Sequence, residues 1–156
     1  MPDPAASSIL QHAQRVLDTE AAALAKLATQ LPPDFQAATE AMLACQGRVI
    51  VSGVGKSGHI GRKIAATFAS TGTPSYFIHA TEASHGDLGM IGPQDLCLLI
   101  SNSGETAELK DMIAHTRRFS IPMAAISSNG ASTLSKAATF KLTPVSYTHL
   151  TLPTKA

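Results

Sequence analysis

Residues 48–80 read RVIVSGVGKSGHIGRKIAATFASTGTPSYFIHA. An apolar run, RVIVSG (48–53), breaks into a loop of small residues. A helical stretch follows, with Ile60, Ile64, Thr67 and Phe68 on one face, and Gly72 closes it. A second apolar run, SYFIHA (75–80), comes next. Run, helix, run is the pattern of a strand, a crossover helix and a parallel strand. Such crossovers are right-handed and place the helix on a face of the sheet.

The pattern continues toward the C-terminus. Further runs are DLCLLIS (95–101), PMAAIS (122–127) and TFKLTPV (139–145). Between the third and fourth lies TAELKDMIAHTRRFS, with Leu109, Met112, Ile113 and Thr116 on one face. The runs are continuously apolar rather than alternating, as strands buried on both faces should be. The fold expected is α/β: a five-stranded parallel sheet in an α/β/α sandwich, with strand order 2-1-3-4-5. Upstream, residues 7–31 repeat Leu and Ala at intervals of three and four and predict a long helix. PPD then breaks the chain, and Asp34 is placed to cap a second helix running to about Cys45. Residues 146–156, SYTHLTLPTKA, fit neither period and read as an unrelated tail behind a domain spanning 1–145.

Composition narrows the function. The chain has 156 residues, the length of one domain, with 44% hydrophobic residues but only 4% aromatic and no Trp, so its core is aliphatic. Twelve basic and eleven acidic residues leave a net charge of +1, which offers no nucleic-acid or membrane-binding surface. No apolar stretch approaches the roughly 20 residues of a membrane span. MPDPAASSIL lacks the features of a secretory signal. The two cysteines, Cys45 and Cys97, lie far apart, and Cys97 falls inside an apolar run, so a reducing cytoplasm is expected.

Two loops carry the chemistry. GVGKSG (53–58) has the spacing G-x-G-x-x-G after a strand and before a helix. It lacks the acidic residue that a dinucleotide site wants at the end of the next strand, and Ile50 stands where a Walker loop needs glycine. The glycines therefore mark either a phosphate turn or simply a tight strand-to-helix turn. SNSGET (101–106) offers hydroxyls from Ser101, Ser103 and Thr106 and amides from Asn102 and Gly104. With the first and third strands adjacent, both loops meet where the strand order reverses, the usual place for a ligand. A helix amino end there carries about half a positive charge, which suits a phosphate monoester. Lys56 and Ser57 can close the cradle from the other loop.

Glu105 and Glu108 fall in the first turn of the next predicted helix. Acids there stabilise a helix start, and Asn102 to Glu105 has capping-box spacing. A carboxylate beside a phosphate grip is also where a base would sit to take a proton from a sugar carbon. Lys56 reads as either a solvated loop lysine or a partner for anionic charge. His79 ends the second run, and His85 lies three residues beyond Glu82. Each histidine is read as either a structural or a ligand-facing residue. No Cys/His spacing marks a structural metal site.

The combination GVGKSGHIGRK, TGTPS, HGDLGM and SNSGET resembles the sugar isomerase (SIS) domain of the D-arabinose 5-phosphate isomerase family. The likeness runs from about residue 8 to about 143 and is most specific over 53–108. It implies a phosphosugar-binding α/β/α sandwich. The implied activity is aldose–ketose isomerisation of arabinose 5-phosphate and ribulose 5-phosphate, the entry to the Kdo sugar of lipopolysaccharide. It implies phosphate on Ser57, Ser101, Asn102, Ser103 and Thr106, with Lys56 and Glu108 catalytic. Gly72, Thr73, His79 and His85 match substrate-contacting positions, and His79 also matches an inhibitory zinc site. No cofactor is implied. The implied partners are a sugar phosphate and further copies of the chain in a homo-oligomer, with no nucleic acid and no membrane.

The family continues, after its fifth strand, with a further catalytic glutamate and histidine and usually a pair of CBS modules. None has a counterpart in this sequence, and His149 in the tail is not promoted to one. A non-catalytic phosphosugar-sensing module is therefore a second reading, as is an inactive piece of the isomerase. A nicotinamide oxidoreductase, resting on 53–58 alone, is the third.

Overall fold

The computed structural model describes residues 4–144. The described residues fall into two compact units, one up to Leu31 and the other Pro32–Pro144. In the first, α1 spans Pro4–Thr29. Leu10, Leu17 and Leu24, seven residues apart, are each at least 65% exposed. The expected unrelated tail at 146–156 lies outside the described residues.

The second unit begins with α2 (Phe35–Leu43). Asp34 precedes it but does not cap it with its side chain. Its carboxylate instead accepts the backbone N–H of Lys141 at 2.8 Å, a strand amide that would otherwise lack a partner at the sheet edge. The capping expectation is thus replaced by a long-range tie.

Five strands follow: β1 (Val49–Gly53), β2 (Ser75–His79), β3 (Leu96–Ile100), β4 (Met123–Ile126) and β5 (Phe140–Leu142). All pairings are parallel, in the order β2-β1-β3-β4-β5. This is the expected order. β1 and β3 are buried at every residue, while the edge strands β2 and β5 are only partly so. That difference follows position: central strands are covered on both faces and two edges.

The helices divide between the faces. On one side Ile50, Ile78, Leu99 and Met123 pack under α4 (Ala80–Ser84), α5 (Lys110–Arg118) and α6 (Thr133–Ala137). On the other, Val49, Val51, Leu98 and Ala124 pack under α2 and α3 (Gly55–Ser70). The face expected for α5 is the buried one: Leu109, Met112, Ile113 and Thr116 are all inside. At five residues each, α4 and α6 are too short to show a period. No helix among the described residues is long and apolar enough to cross a membrane.

The face expected for α3 needs correction. Ile60 is 58% exposed and Thr67 is also outside, whereas Gly58, Gly61 and Ala65 are buried. The reason is distance. A Cβ on Gly61 would stand 3.0 Å from the Phe77 ring, and one on Gly58 would stand 2.9 Å from the Gly53 carbonyl oxygen. The helix lies so near the sheet that glycines fill the contact, with Ile64 and Phe68 flanking it. Backbone at that range cannot yield as a side chain can. Gly58→Ala is therefore expected to cost about 1–3 kcal/mol of stability. Gly89→Ala, where a Cβ meets nothing within 4 Å, is expected to change little. Urea denaturation of both variants checks this, and equal midpoints would contradict it.

Candidate functional site: a two-loop anion cradle

β1 and β3 end side by side, with Gly53 paired to Ile100. The chain leaves each end toward a different face, because α3 and α5 cover opposite sides of the sheet. The two following loops therefore open onto one notch. In the first, Gly55 takes φ 58°, a left-handed value that favours glycine, and starts α3. Lys56 is exposed and Ser57 half-buried in that first turn. One residue before the loop, Ser52 is fully buried, and its hydroxyl has no hydrogen-bond partner among the described residues. Orphaned buried hydroxyls are rare in folded proteins.

The second loop is shaped from within. Ser101 is 3% exposed. Its Oγ accepts the Gly104 N–H at 3.0 Å and lies 2.6 Å from Thr106 Oγ1. Ser103 Oγ accepts the Glu105 N–H at 3.2 Å. Gly104, at φ 70°, makes the reversal. The hydroxyl of Ser101 is thus spent holding the loop, while Asn102 and Ser103, exposed, and Thr106, half-buried, form its open side.

A third loop, after β4, supports the second. The Asn102 carbonyl accepts from Ser128 N–H (3.0 Å), Ser128 Oγ (2.6 Å) and Ser127 Oγ (3.3 Å). That oxygen, which would repel an anion, is tied back into the protein. The Leu134 N–H donates to the Gly104 carbonyl at 3.1 Å. Sequence reasoning passed over this loop, yet ISSNGAST (126–133) has the texture of ISNSGET (100–106), a strand end followed by hydroxyl-rich residues. That likeness was the available signal.

The two acids have different surroundings. Glu105 does not complete a capping box with Asn102 and does not lie in the first turn of its own helix. A 3₁₀ turn begins only at Ala107, with Thr106 before it. Glu105 instead reaches across to α6, its carboxylate accepting the Thr133 N–H at 2.7 Å and the Thr133 hydroxyl at 2.7 Å. Those bonds, the backbone one first, hold its carboxyl below the ordinary value of 4.5. The link is therefore complete above the ordinary glutamate range and is lost only as pH falls through the lower folded value. Glu108 sits in the 3₁₀ turn Ala107–Leu109, anchored by the buried Leu109 beside it. Its carboxylate is exposed and makes no hydrogen bond or ion pair among the described residues, and the same holds for Lys56.

His79 closes β2 opposite Gly53. Its Nδ1 accepts the Thr81 N–H at 3.3 Å, so the neutral ring carries its proton on Nε2. Zinc would need the lone pair of that same Nε2, and no group of three metal-ligating side chains exists among the described residues. His85 is exposed at the far end of α4, linked to Glu82 only through its backbone N–H. Gly72 and Thr73 precede β2, whose first residue pairs with the first residue of β1. They therefore lie at the opposite end of the sheet from the cradle, about 13 Å away along a five-residue strand. Ser57, Ser101, Asn102, Ser103 and Thr106 are thus drawn to neighbouring strand ends, with Lys56, His79 and Glu108. Gly72 and Thr73 are not.

The family model for the SIS domain matches residues 42–152, more than half of the chain. The chain belongs to the SIS domain family. This SIS domain is 54% identical over 132 residues to arabinose 5-phosphate isomerase KdsD of Yersinia pestis, covering 85% of this chain and 40% of that protein. To the Escherichia coli K12 protein of the same name it is 49% identical over 128 residues, covering 82% and 39%. It therefore spans about 40% of the length of these relatives. Among solved structures, Escherichia coli CFT073 c3406 in complex with A5P superposes with a TM-score of 0.84 at 38% identity, covering 90% of this chain and 75% of that one. Vibrio vulnificus NanR complexed with ManNAc-6P superposes at 0.71 with 22% identity, covering 94% and 52%, a likeness of fold alone.

Proposed function

We propose that this SIS domain holds the phosphate of a pentose 5-phosphate in the 53–58 and 101–106 loops. There it serves the interconversion of D-arabinose 5-phosphate and D-ribulose 5-phosphate. The observation that carries the reading is the contrast between the acids. Glu105 is committed to Thr133, while Glu108, three residues on, is exposed and has no partner among the described residues, just beyond the hydroxyl-bearing 101–106 loop. Identity of 54% to a protein named arabinose 5-phosphate isomerase supports the choice of sugar.

The chemistry follows from position. The loop hydroxyls and amides and the α3 amino end hold the phosphate dianion and so orient the open-chain sugar. Glu108 takes the proton from C2 of the aldose. The C2–H electron pair becomes the C1–C2 double bond of an enediol, and the aldehyde oxygen accepts a proton. Return of a proton to C1, with loss of the proton on the C2 hydroxyl, gives the ketose. Nothing is oxidised or reduced overall. Lys56 steadies the negative charge on the enediol oxygen. His79, with its proton on Nε2, can donate to a sugar oxygen. Run in reverse, the same steps make arabinose 5-phosphate, which would enter the Kdo sugar of lipopolysaccharide, in the cytoplasm.

The intact protein is proposed to be a homo-oligomer. Support comes from the exposed leucines at seven-residue intervals along α1, the repeat with which one helix pairs against another of its kind. Sedimentation of the protein as two or more copies is the expected outcome, and sedimentation as a monomer would contradict it.

Glu108→Gln keeps size and hydrogen-bonding reach but removes the base. Turnover of ribulose 5-phosphate is expected to fall at least about 100-fold while affinity for arabinose 5-phosphate holds. Unchanged turnover would remove Glu108 from the role. Binding of the sugar phosphate with no turnover by the unaltered chain would favour the sensing module instead.

A further inference from the structure

The functional reading uses Glu108 and leaves Glu105 without a part. Yet Glu105 makes the most direct side-chain link between the second loop and the element behind it. Both carboxylate oxygens are engaged, one by a backbone N–H and one by a hydroxyl of the same residue, Thr133, each at 2.7 Å. Thr133 is the first residue of α6, so the carboxylate satisfies an N–H that the short helix cannot satisfy itself. The neighbouring Ser132 Oγ accepts the Ser135 N–H at 3.2 Å, which takes care of another.

The link does not stand alone. One residue before Glu105, the Gly104 carbonyl receives the Leu134 N–H. Two residues before that, the Asn102 carbonyl receives three donors from Ser127 and Ser128. The contact is also close: a Cβ on Gly104 would collide with the Ser132 side chain. The second loop is thus pinned at 102, 104 and 105 to the segment 127–134. Its open residues, Ser103 and Thr106, lie between or just beyond the pins.

Building on the functional reading above, we infer that Glu105 is a positioning residue for phosphate recognition. By gripping the amino end of α6 through Thr133, it fixes the 101–106 loop in its anion-receiving shape without touching the ligand. An anionic side chain beside an anion site should weaken binding through repulsion. Here both of its oxygens face donors on α6, so its charge is directed away from the cradle into two charge-assisted bonds. A loop left to find this shape only on binding would pay its ordering from the binding energy, which lowers affinity.

The separation from Glu108 is what makes the inference testable. A positioning role for Glu105 acts on affinity, and the base role of Glu108 acts on turnover. The full chain is titrated calorimetrically with arabinose 5-phosphate in four forms: unaltered, Glu105→Ala, Thr133→Val and the double variant. Glu105→Ala is expected to raise Kd about tenfold, Thr133→Val, which keeps the backbone N–H bond and loses only the hydroxyl, to raise it less, and the double variant to do no worse than Glu105→Ala, since both changes act on one link. Glu105→Gln, which keeps an acceptor for the Thr133 N–H, is expected to recover most of the loss. Where turnover is measurable, KM rises with kcat within about twofold, the reverse of the Glu108→Gln pattern. An unchanged Kd in Glu105→Ala, or additive losses in the double variant, would overturn the inference. Hydrogen exchange of the Leu134 amide, read without ligand, separates the two proposals. If the unaltered chain fails to bind the sugar phosphate, the functional reading falls. Faster Leu134 exchange in Glu105→Ala then upholds the brace, and unchanged exchange overturns it.

Discussion

The adjacency of β1 and β3 governs this molecule. Because the chain crosses back over β1 to lay β3 beside it, the helix after β1 covers one face and the helix after β3 covers the other. The loops at those strand ends part in opposite directions and leave a notch between them. Everything assigned to the site follows from that arrangement. Hydroxyls 44 residues apart in sequence, such as Ser57 and Ser101, come to neighbouring strand ends without any direct bond between their loops. The glycines of the first loop serve the same end. Gly53 and Gly58 let helix and strand approach, and Gly55 supplies the left-handed turn.

A cradle that binds an anion through loop hydroxyls and amides must be stiff before the anion arrives. The first loop gains stiffness from the close packing of α3 on the sheet. The second has no such helix contact at its apex, and the third loop supplies it through Asn102, Gly104 and Glu105. The structure thereby gives two nearby acids distinct surroundings. Glu105 is bonded to Thr133 at the start of α6, and its carboxyl is kept below the ordinary range by those donors. Glu108 is left available to a ligand. Two carboxylates three residues apart look equivalent in sequence; their partners distinguish them.

The sheet was readable in the sequence because its central strands are covered on both faces, which forces continuous apolar runs such as DLCLLI. The strand order and the buried face of α5 were readable for related reasons: crossover handedness and a helical period. The buried face of α3 was not, because apolar periodicity marks large residues and this contact is made by Gly58 and Gly61. Neither the Asp34–Lys141 tie nor the Glu105–Thr133 link was readable, since each joins residues distant in sequence. In both cases local capping rules pointed to a nearer partner. The cradle residues were legible as donor-rich loops, and their division into shaping and presenting roles was not, since it rests on the burial of Ser101.

The most direct test is diffraction from crystals of this protein soaked with arabinose 5-phosphate. The account requires the phosphate to sit between the two loops, with oxygens about 3 Å from the hydroxyls of Ser57, Ser103 or Thr106 and from the first amides of α3. A well-ordered sugar phosphate bound elsewhere, with both loops unoccupied and unchanged, would contradict it.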